Sequence, residues 1–147
     1  MAIYTRNPMH NKIKNSLRFS AVPSVLIVDD DQVNCTLVKH ILQRAGIDVM
    51  FAYNGDDGMS AVVRGGVDLA IVDVFLPQRN GSNGIELVRQ LRQNPMTADL
   101  PIISLTAAPT TQLERDALAA GADMFLTKPF NPEQLTCVVH RLLGVKP

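Results

Sequence analysis

Between residues 25 and 143 a short, apolar, β-favouring run gives way to an amphipathic stretch five times in succession. The runs are 25–28, 48–52, 69–73, 102–106 and 124–127, and the stretches that follow them are 32–45, 56–64, 84–94, 111–120 and 132–143. Each connection is too long for a hairpin and suits a helix, so successive strands are expected to run parallel. Right-handed crossovers then leave a sheet covered on both faces as the solution. The pattern predicts one three-layer, doubly wound α/β domain, a five-stranded parallel sheet with five helices on both faces. At 147 residues the chain fills one such core and not two.

Local signals agree with this frame. Val33, Leu37, Ile41 and Ala45 recur at i, i+4, i+8 and predict the buried stripe of the first helix, and Leu135, Val138, Val139, Leu142 and Leu143 predict that of the last. Gly46 and Gly121 stand where left-handed helix ends belong. Asn131-Pro132 reads as an N-cap followed by proline at the first helical position, and Thr111 with Glu114 as a capping box.

The formal charge of zero hides an asymmetry. Residues 1–28 hold Arg6, Lys12, Lys14 and Arg18 and no acid, while the remainder holds 14 acidic residues against 10 basic ones. The expected organisation is a basic, disordered leader over 1–22, a domain over 23–144 and a short tail over 145–147. No stretch has the apolar length of a signal-peptide core or a membrane span. Cys35 and Cys137 form no CxxC pair and suit a reducing cytoplasm. His10, His40 and His140 lack metal-ligand spacing, which speaks against zinc.

Ligands of such sheets bind beyond the carboxyl ends of the strands. There this chain places Asp29-Asp30-Asp31, Asp73, Thr106 and Lys128-Pro129. Two like charges ~4 Å apart repel by about 1 kcal/mol even in water, so the gathered acids need compensation. Carboxylates without histidine or thiolate suit a hard cation, magnesium above all, whose remaining positions take water and phosphate oxygens. A carboxylate beside it can attack phosphorus and carry an aspartyl phosphate, with a lysine and a hydroxyl stabilising the transferring group. Asp31 is expected instead to cap the first helix.

These stretches have a family counterpart. With "VLIVDDDQVN", "DLAIVDVFLP", "PIISLTA" and "AGADMFLTKPF" at matching spacings, residues 23–144 resemble the receiver domain of two-component response regulators, of the stand-alone chemotaxis-regulator type. The resemblance implies a flavodoxin-like fold, Asp73 as phosphoacceptor, and Mg²⁺ held by Asp29, Asp30, the Asp73 carboxylate and the Phe75 backbone carbonyl. It also implies Thr106 as the switch hydroxyl, Phe125 as the aromatic that changes rotamer, Lys128 as the phosphate-contacting lysine, and a cis bond at Lys128-Pro129. Phe75, Ala107 and Ala108 would flank the pocket. Neither Phe75 nor Ala108 can orient water, so slow loss of the phosphoryl group is expected.

The implied partners are a histidine kinase or phosphotransfer protein and a downstream protein bound through helix four, strand five and helix five. The same resemblance implies a cytoplasmic monomer or weak homodimer without nucleic-acid or membrane contacts. It is no turnover enzyme, performing only its own phosphorylation and dephosphorylation. Little chain follows the last helix, so a single-domain regulator is expected. One departure stands out: "QRNGSNGIEL" carries three extra residues beside the acidic pocket.

Other readings compete. The first acidic run also satisfies the D-x-D opening of haloacid-dehalogenase-type phosphatases, with Asp29 as nucleophile and Asp31 as acid/base; that reading leaves Asp73 without a role. A receiver-like scaffold would bind partners without phosphorylation. A flavin module is disfavoured because no phosphate-cradling loop follows the first strand.

Overall fold

The computed structural model describes residues 22–77 and 83–145. The expected disorder of the leader and the three added loop residues therefore fall largely outside the described residues. In chain order the elements are β1 (Ser24–Val28), α1 (Gln32–Arg44), β2 (Asp48–Ala52), α2 (Gly55–Arg64), β3 (Leu69–Asp73), α3 (Gly84–Gln93), β4 (Ile102–Thr106), α4 (Thr111–Ala120), β5 (Met124–Thr127) and α5 (Pro132–Leu143). The strands form one sheet in the order β2-β1-β3-β4-β5, every pair parallel. The five-stranded doubly wound architecture read from the alternation is the one found.

The pleat divides the interior in two. On β1, Val25 and Ile27 face a core shared with Cys35, Val38 and Leu42 of α1 and Leu135 and Val139 of α5. Leu26 and Val28 face the opposite core with Val62 of α2 and Leu87 and Leu91 of α3. Strands β3 and β4 are buried along their whole length, which is why they read as unbroken apolar runs. Because β1 lies between β2 and β3, the winding reverses between β1 and β3, and a crevice opens beyond their carboxyl ends. Asp29 and Asp73 stand there.

Two local expectations are corrected. The buried face of α1 consists of Asn34, Cys35, Val38 and Leu42, whereas Val33 is 78% and Leu37 49% exposed. The helix is turned by about one position from that stripe, so that Cys35, Val38 and Leu42 fill the core and Asn34 lies inward, where it donates a hydrogen bond to Asp29. The cap of α4 is Thr110, whose hydroxyl accepts from the Leu113 N–H, in place of a box built on Thr111. The other signals hold. Gly46 (φ 79) and Gly121 (φ 122) have positive φ, Asn131 caps α5 with Pro132 in its first turn, and Lys128-Pro129 is cis. Leu135, Val138, Val139 and Leu143 are the buried residues of α5.

One glycine decides how closely a helix approaches the crevice. Gly84, first residue of α3, donates its N–H to the Val74 carbonyl at 3.1 Å. A Cβ at that position would stand 1.8 Å from the Asp73 carbonyl oxygen. Only a residue without a side chain lets α3 begin against the backbone of β3 there.

Candidate functional site

Asp29 leaves β1 fully buried, with its N–H donated to the Ala52 carbonyl at 3.0 Å. Its Oδ1 accepts from the Asp31 N–H (2.9 Å), and its Oδ2 accepts from Asn34 Nδ2 (2.6 Å) and Lys128 Nζ (2.8 Å). Asp73, the last residue of β3, is also buried. Its Oδ1 accepts from the Phe75 N–H at 2.9 Å and its Oδ2 from Lys128 Nζ at 2.8 Å. One ammonium thus joins two carboxylates that lie 44 positions apart in sequence.

Asp30 is exposed, and one carboxylate oxygen from each of Asp29, Asp30 and Asp73 fits within 4.8 Å of the others. Its side chain has no hydrogen-bond or ion-pair partner among the described residues. The donor set is oxygen alone, and three acids face one ammonium. Those residues fit a hard divalent cation such as magnesium: the site offers the ligand type it prefers and a charge deficit that Lys128 does not fill. Asp31 is not part of this group. Its Oδ1 accepts from the Val33 and Asn34 N–H groups at the start of α1, as the capping expectation held.

Burial raises the pKa of Asp73 from its ordinary value, the Asp29 charge adds to this, and the hydrogen bonds from Lys128 and the Phe75 N–H oppose it. For Lys128, burial works against the charge, yet hydrogen bonds from its Nζ to Asp29 and Asp73 prevail and the pKa is raised. The lysine therefore stays an ammonium under any physiological condition.

The remaining expected residues surround this centre. Thr106 ends β4, fully buried, one step beyond the Asp73–Leu105 register pair, and its hydroxyl oxygen accepts from the Ala108 N–H at 3.2 Å. Its carbonyl accepts from the Lys128 N–H at 2.7 Å, tying the hydroxyl and the lysine together. Phe75 is 56% exposed, and Ala107 and Ala108 are exposed. Phe125 is half-buried on β5 and lines a groove of about 390 Å³ with Pro109, Thr110, Glu114 and Gln134.

Sequence reasoning missed Asn34. It sits within an apolar helix face, and no periodicity marks a polar residue whose amide is needed by a carboxylate five positions earlier. The approach of Cys35 Sγ to the Asp29 carbonyl, 3.4 Å, was equally invisible. Its thiol is pushed up to about 11 by burial and by the neighbouring Asp29, so it is an inert part of the core.

The Response regulator receiver domain family model matches residues 25–140. The chain belongs to the response regulator receiver family. Receiver domains are in general signalling modules rather than turnover enzymes. The chain is 37% identical over 122 residues to the DNA-binding dual master transcriptional regulator RpaA of Synechocystis sp., covering 83% of this chain and 49% of that protein. It is 34% identical to the sensor histidine kinase GacS of Pseudomonas protegens, over 86% of this chain and 14% of that one. It therefore spans half or less of the length of these curated relatives. A crystal structure of a putative response regulator from Chloroflexus aurantiacus superimposes with a TM-score of 0.79 at 34% identity, over 84% of this chain and 99% of that one. Among the described residues of this receiver no helix is long and apolar enough to cross a membrane.

Proposed function

We propose that this receiver, formed by residues 23–144, accepts a phosphoryl group on Asp73 from a phosphohistidine of a histidine kinase or phosphotransfer protein and signals by changing which protein it binds. The observation that carries the reading is Lys128 Nζ, 2.8 Å from carboxylate oxygens of both Asp29 and Asp73, with Asp30 beside them. Asp29, Asp30, Asp73 and the Phe75 carbonyl would hold magnesium, which when bound neutralises the acids and draws phosphoryl oxygens in. An Asp73 carboxylate oxygen attacks phosphorus. The phosphorus–nitrogen bond of the donor breaks, its electron pair stays on the imidazole, and an aspartyl phosphate remains. Lys128 moves its hydrogen bond from the Asp73 oxygen to a phosphoryl oxygen, compensating the added charge.

Output follows from the neighbours. Among the described residues the Thr106 hydroxyl is held by the Ala108 N–H, to which it is acceptor, and its own proton can be donated to the phosphoryl group. That movement opens space for the half-buried Phe125 to turn inward and alters the surface of α4, β5 and α5, a shift between two states of one chain. Two unpaired cysteines suit the cytoplasm, where kinase and phosphotransfer domains work.

The phosphatase alternative is disfavoured by geometry. Its acid/base would be Asp31, whose carboxylate is engaged in capping α1. The test is incubation with a small phosphodonor and Mg²⁺, read by intact mass. One phosphoryl group should be gained by the parent chain and by none of Asp73→Ala or a chelator-treated sample. Label retained by Asp73→Ala and lost by Asp29→Ala would overturn the proposal in favour of the phosphatase.

A further inference from the structure

The outer surface between α1 and α5 carries a groove of about 860 Å³. None of Asp29, Asp73, Thr106 or Lys128 lines it, so phosphoryl chemistry does not account for it. Its floor is apolar: the exposed Leu37 and the partly buried Ile41, which also packs against the core, meet Cys137 and Val145. Its rim carries Arg44 at the end of α1 and Arg141 at the end of α5, against the single acid Glu133. Neither arginine has an ion-pair partner among the described residues. His140 also lines the groove, and its Nδ1 is buried there without a hydrogen-bond partner.

We infer that this groove receives an acidic amphipathic helix of a partner protein. Two helices side by side with an apolar trough between them form a seat for a third, which offers residues at i, i+3, i+4 and i+7 to the trough. Carboxylates flanking that stripe would meet Arg44 and Arg141, which now face solvent unpaired. Three other occupants fit less well. The leader of this chain brings Arg6, Lys12, Lys14 and Arg18 and no acid, so it repels the rim. A second copy packed about a two-fold axis parallel to these helices would set the same unpaired arginines against each other with one acid apiece. A small molecule needs most of its surface enclosed, and a trough between two surface helices covers one side.

Cys137 supplies the readout. It is exposed within the groove while Cys35 is buried, so a soluble alkylating reagent modifies Cys137 selectively and reports whether the groove is covered. The probe is a synthetic helical peptide with leucines at i, i+3, i+4 and i+7 flanked by glutamates, and the control replaces every glutamate by lysine. With the full chain, the acidic peptide should slow alkylation of Cys137 and shift backbone resonances of α1 and α5, and the lysine peptide should do neither. Arg44→Glu combined with Arg141→Glu should weaken the acidic peptide about tenfold or more, while the variant still takes one phosphoryl group on Asp73. The inference is overturned if the acidic peptide gives no protection, if both peptides protect equally, or if the resonance shifts centre elsewhere. It is also overturned if the chain dimerises through the groove without peptide, or if removing residues 1–21 speeds alkylation.

Discussion

Asn34 Nδ2 lies 2.6 Å from Asp29 Oδ2 in the buried space between α1 and β1. This amide does for the acid what a distant lysine alone does not. It holds Asp29 from α1, alongside the hydrogen bond that Lys128 donates to the same oxygen. The contact agrees with a rotation of α1 that buries Cys35, Val38 and Leu42 and leaves Leu37 half-exposed.

Outer partners of metal-binding carboxylates commonly contribute tenfold or more to affinity. Asn34→Ala should therefore weaken Mg²⁺ binding roughly tenfold, measured by calorimetric titration of the unphosphorylated chain. An unchanged dissociation constant would show that Asp29 orients itself without the amide.

Asp73 carries a pKa raised chiefly by burial, so folding favours its protonated form. The associated stability is fully present below the unfolded carboxylate value and is lost as pH rises through the folded one. At neutral pH the buried ionised acid thus costs stability, and Asp73→Asn should melt higher in the absence of divalent ions. A higher melting temperature is expected near pH 7, and the gain should shrink as the pH falls below the folded value. Melting curves over a pH series decide this, and a variant no more stable at pH 7 than its parent contradicts it.

Millimolar Mg²⁺ should raise the melting temperature of the parent chain, because an ion that binds only the folded state stabilises it by RT ln(1 + [L]/Kd). Asp30→Ala should abolish most of that rise, since it removes one of the three carboxylates whose oxygens converge within 4.8 Å. Equal rises in both proteins would place the ion elsewhere.

Gly84→Ala forces a methyl group to within 1.8 Å of the Asp73 carbonyl oxygen, so the start of α3 must move away from β3. A loss of about 1–3 kcal/mol in urea unfolding is expected, typical of overpacking against a fixed backbone. A loss below about 0.5 kcal/mol would mean that the loop before α3 absorbs the shift, since that is the scale of inconsequential substitutions.

Phosphoryl lifetime should depend on Phe75 and Ala108, which are exposed beside Asp73 and Thr106 and carry no group able to hold water. Phe75→Asn with Ala108→Glu should speed loss of the phosphoryl group by about tenfold or more, within the range that positioning a nucleophile is worth. The decay of phosphorylated protein after removal of the donor measures it. If the double variant decays no faster than its parent, water access at these two positions does not set the lifetime.

The alternation of strand and helix, the parallel sheet and the chemistry at the strand ends were all written locally in this chain. Each strand needed only its own apolar run, and Asp29, Asp73, Thr106 and Lys128 needed only to stand where those runs stop, because the fold brings all such ends to one edge. The caps at Asp31 and Asn131 were legible for the same reason: the hydrogen bond of a cap closes within three residues. What the sequence could not settle were contacts whose partners lie on different elements. The rotation of α1 was a choice between two apolar sets one position apart, and the packed core took Cys35, Val38 and Leu42 together with the Asn34–Asp29 hydrogen bond. The shift of the α4 cap to Thr110 turned on a choice between two adjacent threonines that either could fill. The closeness of Gly84 to Asp73 and the groove between α1 and α5 exist only once separate helices are packed, since neither has any trace in the periodicity of a single segment. Periodicity records which side of an element is apolar. Which polar atom is worth burying there depends on the neighbour that the tertiary structure supplies.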